Sequence, residues 1–493
     1  MNLSLLIILP LVTAIALLFC KGLKQVRTVS LIGSIAQLAL SFTLLSNYWQ
    51  ERSSGNTAKM LFESNYTWFK PLNINYHIGV DGISIAMILL TAFVVVAGVL
   101  VSWTTEKLSK EFFFLLIFLS VGAYGFFISL DLFTLFFFLE VAVIPKFLLI
   151  GIWGSGKKEY SAMKLALMLM AGSALVFVGL AGLYFNTGTF DIMALSQMQI
   201  AVDVQKFFFP FAFIGFGIFT ALFPFHTWVP DGHSSAPTAA SMFLAGISMK
   251  LGGYGCLRVA TFLMPDAAHA YSWIIILLAT IAIIYGAFAT MMQKDLKYIN
   301  AYSSVSHCGF VLLGIGMLTK TSINGAVLQM VSHGLMTALF FAAIGMIYSR
   351  THTREVAKLG GLLKVTPFIS TVFVIAGFAS LGLPGLSGFV AEMTIFMGSW
   401  QNPDKMYRLA TILACASIVV TAVYILRAAG KTVMGPISDS YIKLTDATWN
   451  EKLAAGLLIA GILVIGIAPF LINQLINPGT ETIMQQLGKV IIP

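Results

Sequence analysis

The sequence predicts an all-α, polytopic membrane protein with about fourteen transmembrane helices. Of its 493 residues, 58% are hydrophobic and only 10% are charged, a balance that excludes a water-soluble globular protein. The apolar runs are each about 20 residues long, the length of a helix that crosses the hydrocarbon core. Because lipid cannot satisfy open strand edges, runs of this length predict helices.

The predicted spans follow one another along the whole chain. They lie near residues 2–20, 29–47, 79–103, 112–130, 132–153, 160–185, 206–229, 238–264, 272–292, 298–318, 323–349, 366–398, 409–430 and 452–474. We expect the first run to be a retained helix, because it lacks the basic start and cleavage site of a removable signal.

Basic residues predict the orientation of the spans. Lysines and arginines gather in the odd-numbered loops, beginning with Lys21, Lys24 and Arg27, whereas the even-numbered loops hold few. By the positive-inside rule the odd-numbered loops face the cytoplasm, and both termini are expected on the opposite side. The same distribution explains the net charge of +9 without a nucleic-acid partner.

Proline and glycine interrupt two predicted spans. The seventh contains Pro224 and Pro230, and the twelfth contains the run Leu381-Gly-Leu-Pro-Gly-Leu-Ser-Gly388. Such breaks free backbone groups that only protein or a hydrated cavity can satisfy. Because they lie five spans apart, we expect two inverted five-helix repeats, as in transporters. Within a single membrane domain (1–493), the predicted parts are helices 1–3 (1–111), the first repeat of helices 4–8 (112–264), the second repeat of helices 9–13 (270–434), and helix 14 with a tail (450–493).

Ionisable side chains recur in the middle of the central spans. Each costs about 2.5–3.5 kcal/mol at that depth, so each needs a partner, a hydrated cavity or a function. We interpret them as a row of titratable groups near the bilayer midplane that passes protons laterally. The principal candidates are Glu140, Lys250, His307, His333 and Glu392, and the secondary candidates are Lys146, His226, His233 and Lys297.

Structural roles are the alternative for several of these residues. Glu140 could be a protonated carboxyl in a packed interface, and His226 and His233 could satisfy carbonyls freed by the prolines. Buried lysines exchange protons readily, which favours function for Lys250. Arg258 is expected to be an interfacial anchor.

Other chemistries lack their signatures. The cysteines lie far apart, so neither a metal site nor an iron–sulfur cluster nor a disulfide is expected, and no cofactor-binding residue is predicted. The sequence shows no phosphate-binding glycine loop and no nucleophile with a base, which argues against hydrolase, ATPase and nucleic-acid functions.

Several motifs together resemble one family. Pro224-Phe-His-Thr-Trp-Val-Pro-Asp-Gly-His-Ser-Ser-Ala-Pro-Thr-Ala-Ala, Leu244–Lys250 and Ile299–Phe310 are similar to the antiporter-like membrane subunits of respiratory complex I, and most of all to the M-type subunits. His333-Gly-Leu, Arg350-Thr-His-Thr-Arg354 and Leu383–Glu392 extend the resemblance over essentially the whole chain.

The resemblance implies a fourteen-helix fold and proton pumping driven at a distance by quinone reduction. This chain would hold no cofactor, while FMN, iron–sulfur clusters and quinone would lie in partner subunits. The implied partners are L-type and N-type antiporter-like subunits, the lateral helix of the L-type subunit, and lipid. The implied location is a bacterial inner membrane with both termini periplasmic. The family's helix-five glutamate, helix-eight lysine, central histidines and helix-twelve exit residue match Glu140, Lys250, His307, His333 and Glu392.

One position departs from the family pattern. Where the family usually has a lysine in helix seven, this chain has Phe219. We hypothesise that Lys146 supplies the missing cation. Its six-residue separation from Glu140 is about 120° around an ideal helix, so a pair would require a distortion, for which Pro145 is the candidate.

Two related assignments stay open at this point. One is a D-type subunit of a multisubunit Na+/H+ antiporter, and the other is the membrane subunit of a proton-pumping hydrogenase. The His-Thr-Arg and Leu-Pro-Gly-Leu-Ser-Gly-Phe signatures favour complex I. The lack of a long lateral helix after about residue 474 argues against the L-type subunit.

Overall fold

The computed structural model describes residues 1–489, and these residues form an almost entirely helical bundle. Its α-helices are α1 (Leu5–Leu18), α2 (Leu23–Ser53), α3 (Gly82–Val101), α4 (Ser109–Ile128), α5 (Leu132–Val141), α6 (Val143–Trp153), α7 (Lys158–Thr187), α8 (Ile192–Leu195), α9 (Val202–Thr220), α10 (Trp228–Ser235), α11 (Thr238–Phe243), α12 (Met249–Gly255), α13 (Pro265–Met291), α14 (Leu296–Gly316), α15 (Lys320–Thr351), α16 (Pro367–Leu381), α17 (Ser387–Trp400), α18 (Lys405–Val433), α19 (Trp449–Ile467) and α20 (Pro469–Leu487).

The membrane-spanning prediction is confirmed at the level of fold class. Ten helical segments of the described chain are long and apolar enough to cross a membrane, and α1 and α16 are apolar but shorter. Other predicted spans are divided into pieces, as in α11–α12 and α16–α17, or carry many polar groups, as α14 does. The number fourteen therefore stays a prediction, and so do the boundaries of the two repeats.

The centre of the bundle is formed by α3 and α15. The most apolar 18-residue stretch of α15 is completely buried and that of α3 is 89% buried, whereas only 28% of the corresponding stretch of α2 is buried. A helix as exposed as α2 presents apolar side chains outward, as a helix in contact with lipid does. The candidate residues of α15 therefore lie deep inside the protein.

Both predicted helix breaks are present. After α9, Ala221 adopts a left-handed conformation (φ 70°), and the Trp228 indole of α10 donates to the Ile218 carbonyl at 2.9 Å. After α16, Gly382 is left-handed (φ 72°), and Leu383 N donates to the Phe378 carbonyl at 3.2 Å. The protein itself thus satisfies backbone groups that lipid would leave without partners.

Two predicted spans are irregular, and the sequence indicated only the second irregularity, through Pro145. The predicted eighth span contains π-helical turns at Leu244–Ser248 and Cys256–Thr261, on either side of α12. The predicted fifth span is divided at Ala142 between α5 and α6. Pro145 explains this division, because it cannot donate to the carbonyl of Val141, the residue that ends α5. The expected distortion thus occurs three residues before the proline.

The segment after residue 474, predicted as a tail, is helical. Its helix α20 packs against α3 and α15 and buries Leu475 and Ile476. Asn477 accepts a hydrogen bond from Asn324 of α15, and Glu481 pairs with Lys320 at 2.6 Å.

A β-hairpin packs against one end of the helix bundle. Its strands are β1 (Leu61–Phe69) and β2 (Ile74–Val80), which pair antiparallel. Leu130 N donates to the His77 carbonyl at 2.8 Å, and Ile192 N donates to the Leu130 carbonyl at 2.8 Å. The hairpin is thereby joined to the connections that follow α4 and α7.

His77 of β2 forms a charged clamp with Glu63 of β1 and with Asp191, the residue before α8. Its Nδ1 lies 2.6 Å from Asp191 Oδ2, and its Nε2 lies 3.3 Å from Glu63 Oε2. Burial alone would lower the pKa of His77, but the hydrogen bonds to the two carboxylates outweigh it, and the pKa is raised above its ordinary 6.5. Burial would raise the pKa of Asp191, yet the hydrogen bond with His77 lowers it below 3.8.

The clamp predicts a pH dependence of the hairpin. Because the folded-state pKa of His77 is raised, its stabilising contribution is complete below about pH 6.5 and is lost as the pH rises through the folded value. Between pH 6 and pH 8.5, amides of 61–80 should lose about tenfold in hydrogen-exchange protection after correction for intrinsic rates, the equivalent of one charged hydrogen bond. His77→Gln should abolish this pH dependence, and an unchanged dependence in that variant would contradict the assignment.

Candidate functional site: a buried row of ionisable residues

Lys250 is held by two acceptors in the middle of the bundle. It lies on α12 directly after the first π-helical turn, and its side chain is 1% exposed. The ammonium donates to the Ala245 carbonyl within that turn at 2.5 Å and lies 2.8 Å from His333 Nδ1 on α15. A charged lysine only donates, so His333 Nδ1 accepts and Nε2 carries the ring hydrogen.

His333 continues the row to His307. Their rings stack with centroids 5.3 Å apart, which joins α15 to α14. His333 Nε2 is buried and has no hydrogen-bond partner among the described residues. An imidazole hydrogen without a partner in a buried site is the place where an internal water is expected.

His307 then connects to Glu392. Its Nδ1 lies 3.3 Å from Glu392 Oε1 on α17, and its Nε2 lies 3.0 Å from Ser380 Oγ on α16. Glu392 is buried directly behind the second helix break. The structure therefore brings four of the five principal candidates into one row, Lys250–His333–His307–Glu392, across α12, α15, α14 and α17.

Glu140 and Lys146 lie outside this row and do not form an ion pair. Among the described residues, no contact within 4.0 Å joins their charged atoms, and Glu140 Oε1 and Lys146 Nζ are both buried without a hydrogen-bond partner. The Lys146 side chain is fully buried, and its ammonium lies 5.9 Å from the ring centroid of Phe219. The Lys146 side chain of α6 thus lies near Phe219, the residue on α9 at which the resemblance implies a lysine.

The remaining candidates lie on the side of the basic loops. His226 stacks against Phe223 and Tyr285, and His233 is fully buried against Phe341, with neither ring nitrogen of His233 hydrogen-bonded within residues 1–489. Lys297, which directly precedes the predicted span 298–318 and would therefore lie in a loop, is instead buried and donates to the Ala236 carbonyl at 2.6 Å. Lys297 is buried because α14 already begins at Leu296, which places Lys297 within the packed helix and not in the loop before it.

A cavity of about 570 Å³ opens beside these residues. It is lined by Ser155, Gly156, Lys157, Tyr160, Ser161, Asp231, Ser234, Ser235, Tyr298 and Arg354. Asp231 pairs with Lys164 of α7 at 2.7 Å, a pairing that the sequence did not predict. Ser234 and Ser235 directly follow His233, so the polar wall of the cavity leads to that buried imidazole.

Arg258 is not the interfacial anchor that the sequence predicted. It is 1% exposed and forms an ion pair with Asp81, which is equally buried. Asp81 also accepts from Ser84 N at 2.9 Å as the N-cap of α3, and Ser84 Oγ lies 2.9 Å from the Tyr254 hydroxyl. The correction follows from a partner 177 positions away, which no local pattern indicates.

Gly382 holds the second break next to Glu392, and two glycines allow a matched test. A Cβ at Gly382 would lie 2.8 Å from Glu392 Oε2, whereas a Cβ at Gly385 would meet no atom within 4 Å, and both residues have positive φ. Gly382→Ala should therefore destabilise the protein by about 1–3 kcal/mol more than Gly385→Ala, because it also displaces a buried carboxylate. Thermal unfolding of the two variants in detergent measures the difference, and equal losses would show that Glu392 is not held there.

A family profile and curated relatives match this chain. The profile described as "NADH:quinone oxidoreductase/Mrp antiporter, TM" matches residues 129–420, more than half of the chain. NADH-quinone oxidoreductase subunit M of Rickettsia prowazekii is 35% identical over 482 residues, covering 96% of each chain. NAD(P)H-quinone oxidoreductase chain 4-2 of Synechocystis sp. is 38% identical over 434 residues, covering 86% of this chain and 76% of the relative.

Solved structures share the fold over nearly the full length. A chain of respiratory complex I from Thermus thermophilus with bound NADH superposes with a TM-score of 0.89 at 25% identity, covering 99% of this chain and 100% of that one. A chain of the Mrp complex from Dietzia sp. has a TM-score of 0.85 at 19% identity with 98% of each chain covered, and it shows the fold alone. This chain therefore belongs to the NADH:quinone oxidoreductase/Mrp antiporter membrane-subunit family, among the relatives named subunit M or chain 4 of NADH-quinone oxidoreductase.

Proposed function

We propose that this chain is an antiporter-like, proton-pumping subunit of the membrane arm of NADH:quinone oxidoreductase. The observation that carries the proposal is the buried row Lys250–His333–His307–Glu392, whose members are joined in turn by a hydrogen bond, by ring stacking and by an ion-pair contact across four helices. The subunit has no redox role of its own. It moves protons in response to quinone reduction elsewhere in the complex.

The row suits this task because each charge strongly affects its neighbour. Two unit charges 5.3 Å apart, the separation of the two imidazole rings, interact by about 3 kcal/mol at an effective dielectric constant of about 20. His333 and His307 therefore resist being protonated at the same time. His333 gains a proton readily only after the proton on His307 has passed to Glu392. A proton added at Lys250 is thus passed along the row instead of accumulating in it.

Protons enter from the side of the basic loops. The cavity beside Asp231 supplies a polar opening, and His233 and Lys297 lie between this opening and the row. Glu392 passes protons on at the break between α16 and α17, where Pro384 and Gly385 are exposed. Glu140 with Lys146, and His226 beyond the first break, are secondary members of the path.

The surroundings of the subunit follow from the same assignment. L-type and N-type antiporter-like subunits are its neighbours, and the lateral helix of the L-type subunit runs along it. FMN, iron–sulfur clusters and quinone are bound by other subunits. The membrane is the bacterial inner membrane, with both termini periplasmic.

Lys250→Ala tests the proposal directly. In native membranes, NADH-driven proton translocation and NADH:quinone turnover should fall together by at least about 100-fold, because a proton-transferring group typically contributes that much. Lys405→Ala, at an exposed lysine, is the control and should pump normally. Unchanged pumping by an assembled Lys250→Ala complex would overturn the proposal.

The same variant decides between this proposal and its main alternative. A D-type subunit of a multisubunit Na+/H+ antiporter is the second candidate, since the Mrp chain from Dietzia sp. shares the fold with a TM-score of 0.85. If NADH-linked activity is untouched and only sodium-dependent proton exchange is lost, the alternative is correct.

A charge-relocation experiment tests the role of Lys146. Lys146→Met should lower proton pumping, because it removes the buried ammonium that lies near Phe219 of α9 and leaves Glu140 without that cation. Adding Phe219→Lys should restore pumping at least in part, because it returns an ammonium to the same region from the opposite helix. Lys146→Arg, which keeps the charge, should pump more than Lys146→Met. If neither Phe219→Lys in the Lys146→Met background nor Lys146→Arg pumps more than Lys146→Met, Lys146 has only a structural role.

A further inference from the structure

Arg258 is a buried charge to which the proposed path gives no role. It lies in the second π-helical turn, in the same helical stretch as Lys250, and it is 1% exposed. Its position eight residues after Lys250 places the two about 12 Å apart along this stretch. The chain runs here from the side of the basic loops toward the opposite side. Arg258 therefore lies between Lys250 and that opposite side.

The partner of Arg258 is Asp81, the N-cap of α3. Asp81 is also 1% exposed, and its Oδ2 accepts from Arg258 Nη2. Its Oδ1 accepts from Ser84 N at 2.9 Å. A proton that moved to Asp81 would leave the guanidinium buried without a counter-charge, which is strongly unfavourable. While Arg258 is present, Asp81 is thus a poor acceptor for a proton that leaves Lys250.

Polar groups connect the region of Lys250 with this ion pair. Tyr254 lies one turn after Lys250 on α12, and its hydroxyl is 2.9 Å from Ser84 Oγ. Arg258 Nε and Nη1 and Thr261 Oγ1 are buried without a hydrogen-bond partner within residues 1–489, which makes internal water expected there. Hydroxyl groups and water transfer protons, so this region would be an outlet for the proton on Lys250 if nothing opposed it.

Helix α20 covers the ion pair from the other side. A Cβ at Gly479 would lie 2.7 Å from Asp81 Oδ2, and a Cβ at Gly82 would lie 1.6 Å from the Leu475 carbonyl oxygen. Glycine at both positions lets α20 pack directly on the start of α3. Because the pair is thereby shielded from bulk solvent, its charges act in a low dielectric, where they are felt strongly.

We propose that Arg258 is an electrostatic barrier that keeps the proton of Lys250 within the row. A guanidinium stays charged and does not pass a proton on, so it repels a proton that moves from Lys250 toward Tyr254. Water channels exclude protons with a fixed arginine charge by the same effect. The proton therefore moves to His333, which lies 2.8 Å from the ammonium. The inference rests on the proposed function and explains why the row conducts laterally.

A purely structural ion pair leads to a different expectation. Removing one partner of a buried pair is destabilising, because the other charge stays buried alone. If the pair only joined the Lys250 stretch to α3, loss of Arg258 would lower the amount of assembled complex. The complex that did assemble would be as tight to protons as the wild type. A barrier predicts instead a proton leak that depends on Lys250.

The experiment measures passive proton leak in liposomes that contain the assembled complex. A potassium diffusion potential drives protons inward without NADH, and an enclosed pH-sensitive dye reports them. Arg258→Gln should raise the leak at least about tenfold, because a unit charge about 12 Å away changes the probability of a passing proton by that factor at an effective dielectric constant of about 20. Adding Lys250→Ala to Arg258→Gln should return the leak to the wild-type value.

Further variants separate the charge from the fold. Arg408→Gln, at an exposed arginine, is the matched control and should be as tight as the wild type. Arg258→Lys keeps a cation and should leak less than Arg258→Gln. If Arg258→Gln does not assemble because Asp81 is left unpaired, the double variant Asp81→Asn/Arg258→Gln leaves no single buried charge. This double variant must leak as well, and a tight one would overturn the barrier.

The outcomes distinguish this inference from the proposed function. If Lys250→Ala abolishes NADH-driven pumping while assembled Arg258→Gln is as tight as Arg408→Gln, the barrier is wrong and the proposed function stands. A leak in Arg258→Gln that persists after Lys250→Ala is added does not pass through Lys250, and it too overturns the barrier. Normal pumping by Lys250→Ala contradicts the proposed function, and the leak, which is measured without NADH, decides the barrier separately.

Discussion

Lipid offers no hydrogen-bond partner to a buried charge, and the way this chain supplies partners for Lys250 shapes the centre of the protein. The ammonium is bound by the Ala245 carbonyl and by His333. The Ala245 carbonyl is available to the ammonium because the helix changes to a π-helical turn just before Lys250. Each hydrogen bond to such a charged group contributes about 1.5–3 kcal/mol, so the turn and the histidine are needed together.

Close helix packing around α12 has the same origin. A Cβ at Gly252 would lie 2.4 Å from the Phe216 carbonyl, and one at Gly253 would lie 2.8 Å from the Met330 sulfur. Glycine at these positions lets α9 and α15 approach the helix that carries Lys250. Arg258 meets the same constraint through Asp81, and Lys297 meets it through the Ala236 carbonyl. Within residues 1–489, Lys146 Nζ and Glu140 Oε1 are by contrast buried without a hydrogen-bond partner.

Composition and motif spacing predicted the fold class and both helix breaks, and together with the family resemblance they predicted the four residues of the row. Glu140, the fifth principal candidate, lies outside the row. Periodicity indicates which residues share a helix face, but it does not indicate which other helix meets that face. Arg258 was misjudged for this reason, since Asp81 is far away in sequence. The π-helical turns and the division at Ala142 depend on hydrogen bonds that only the folded backbone defines.

The central claim is that Lys250, His333, His307 and Glu392 act as one path. The most direct test measures the rate of NADH-driven proton translocation in the assembled complex for Lys250→Ala, Glu392→Gln and the double variant. If the residues form one path, the double variant loses no more than the worse single variant, because either change already interrupts the row. If each single variant keeps part of the rate and the double variant loses both parts, the residues serve independent paths, and the account of a single row is wrong.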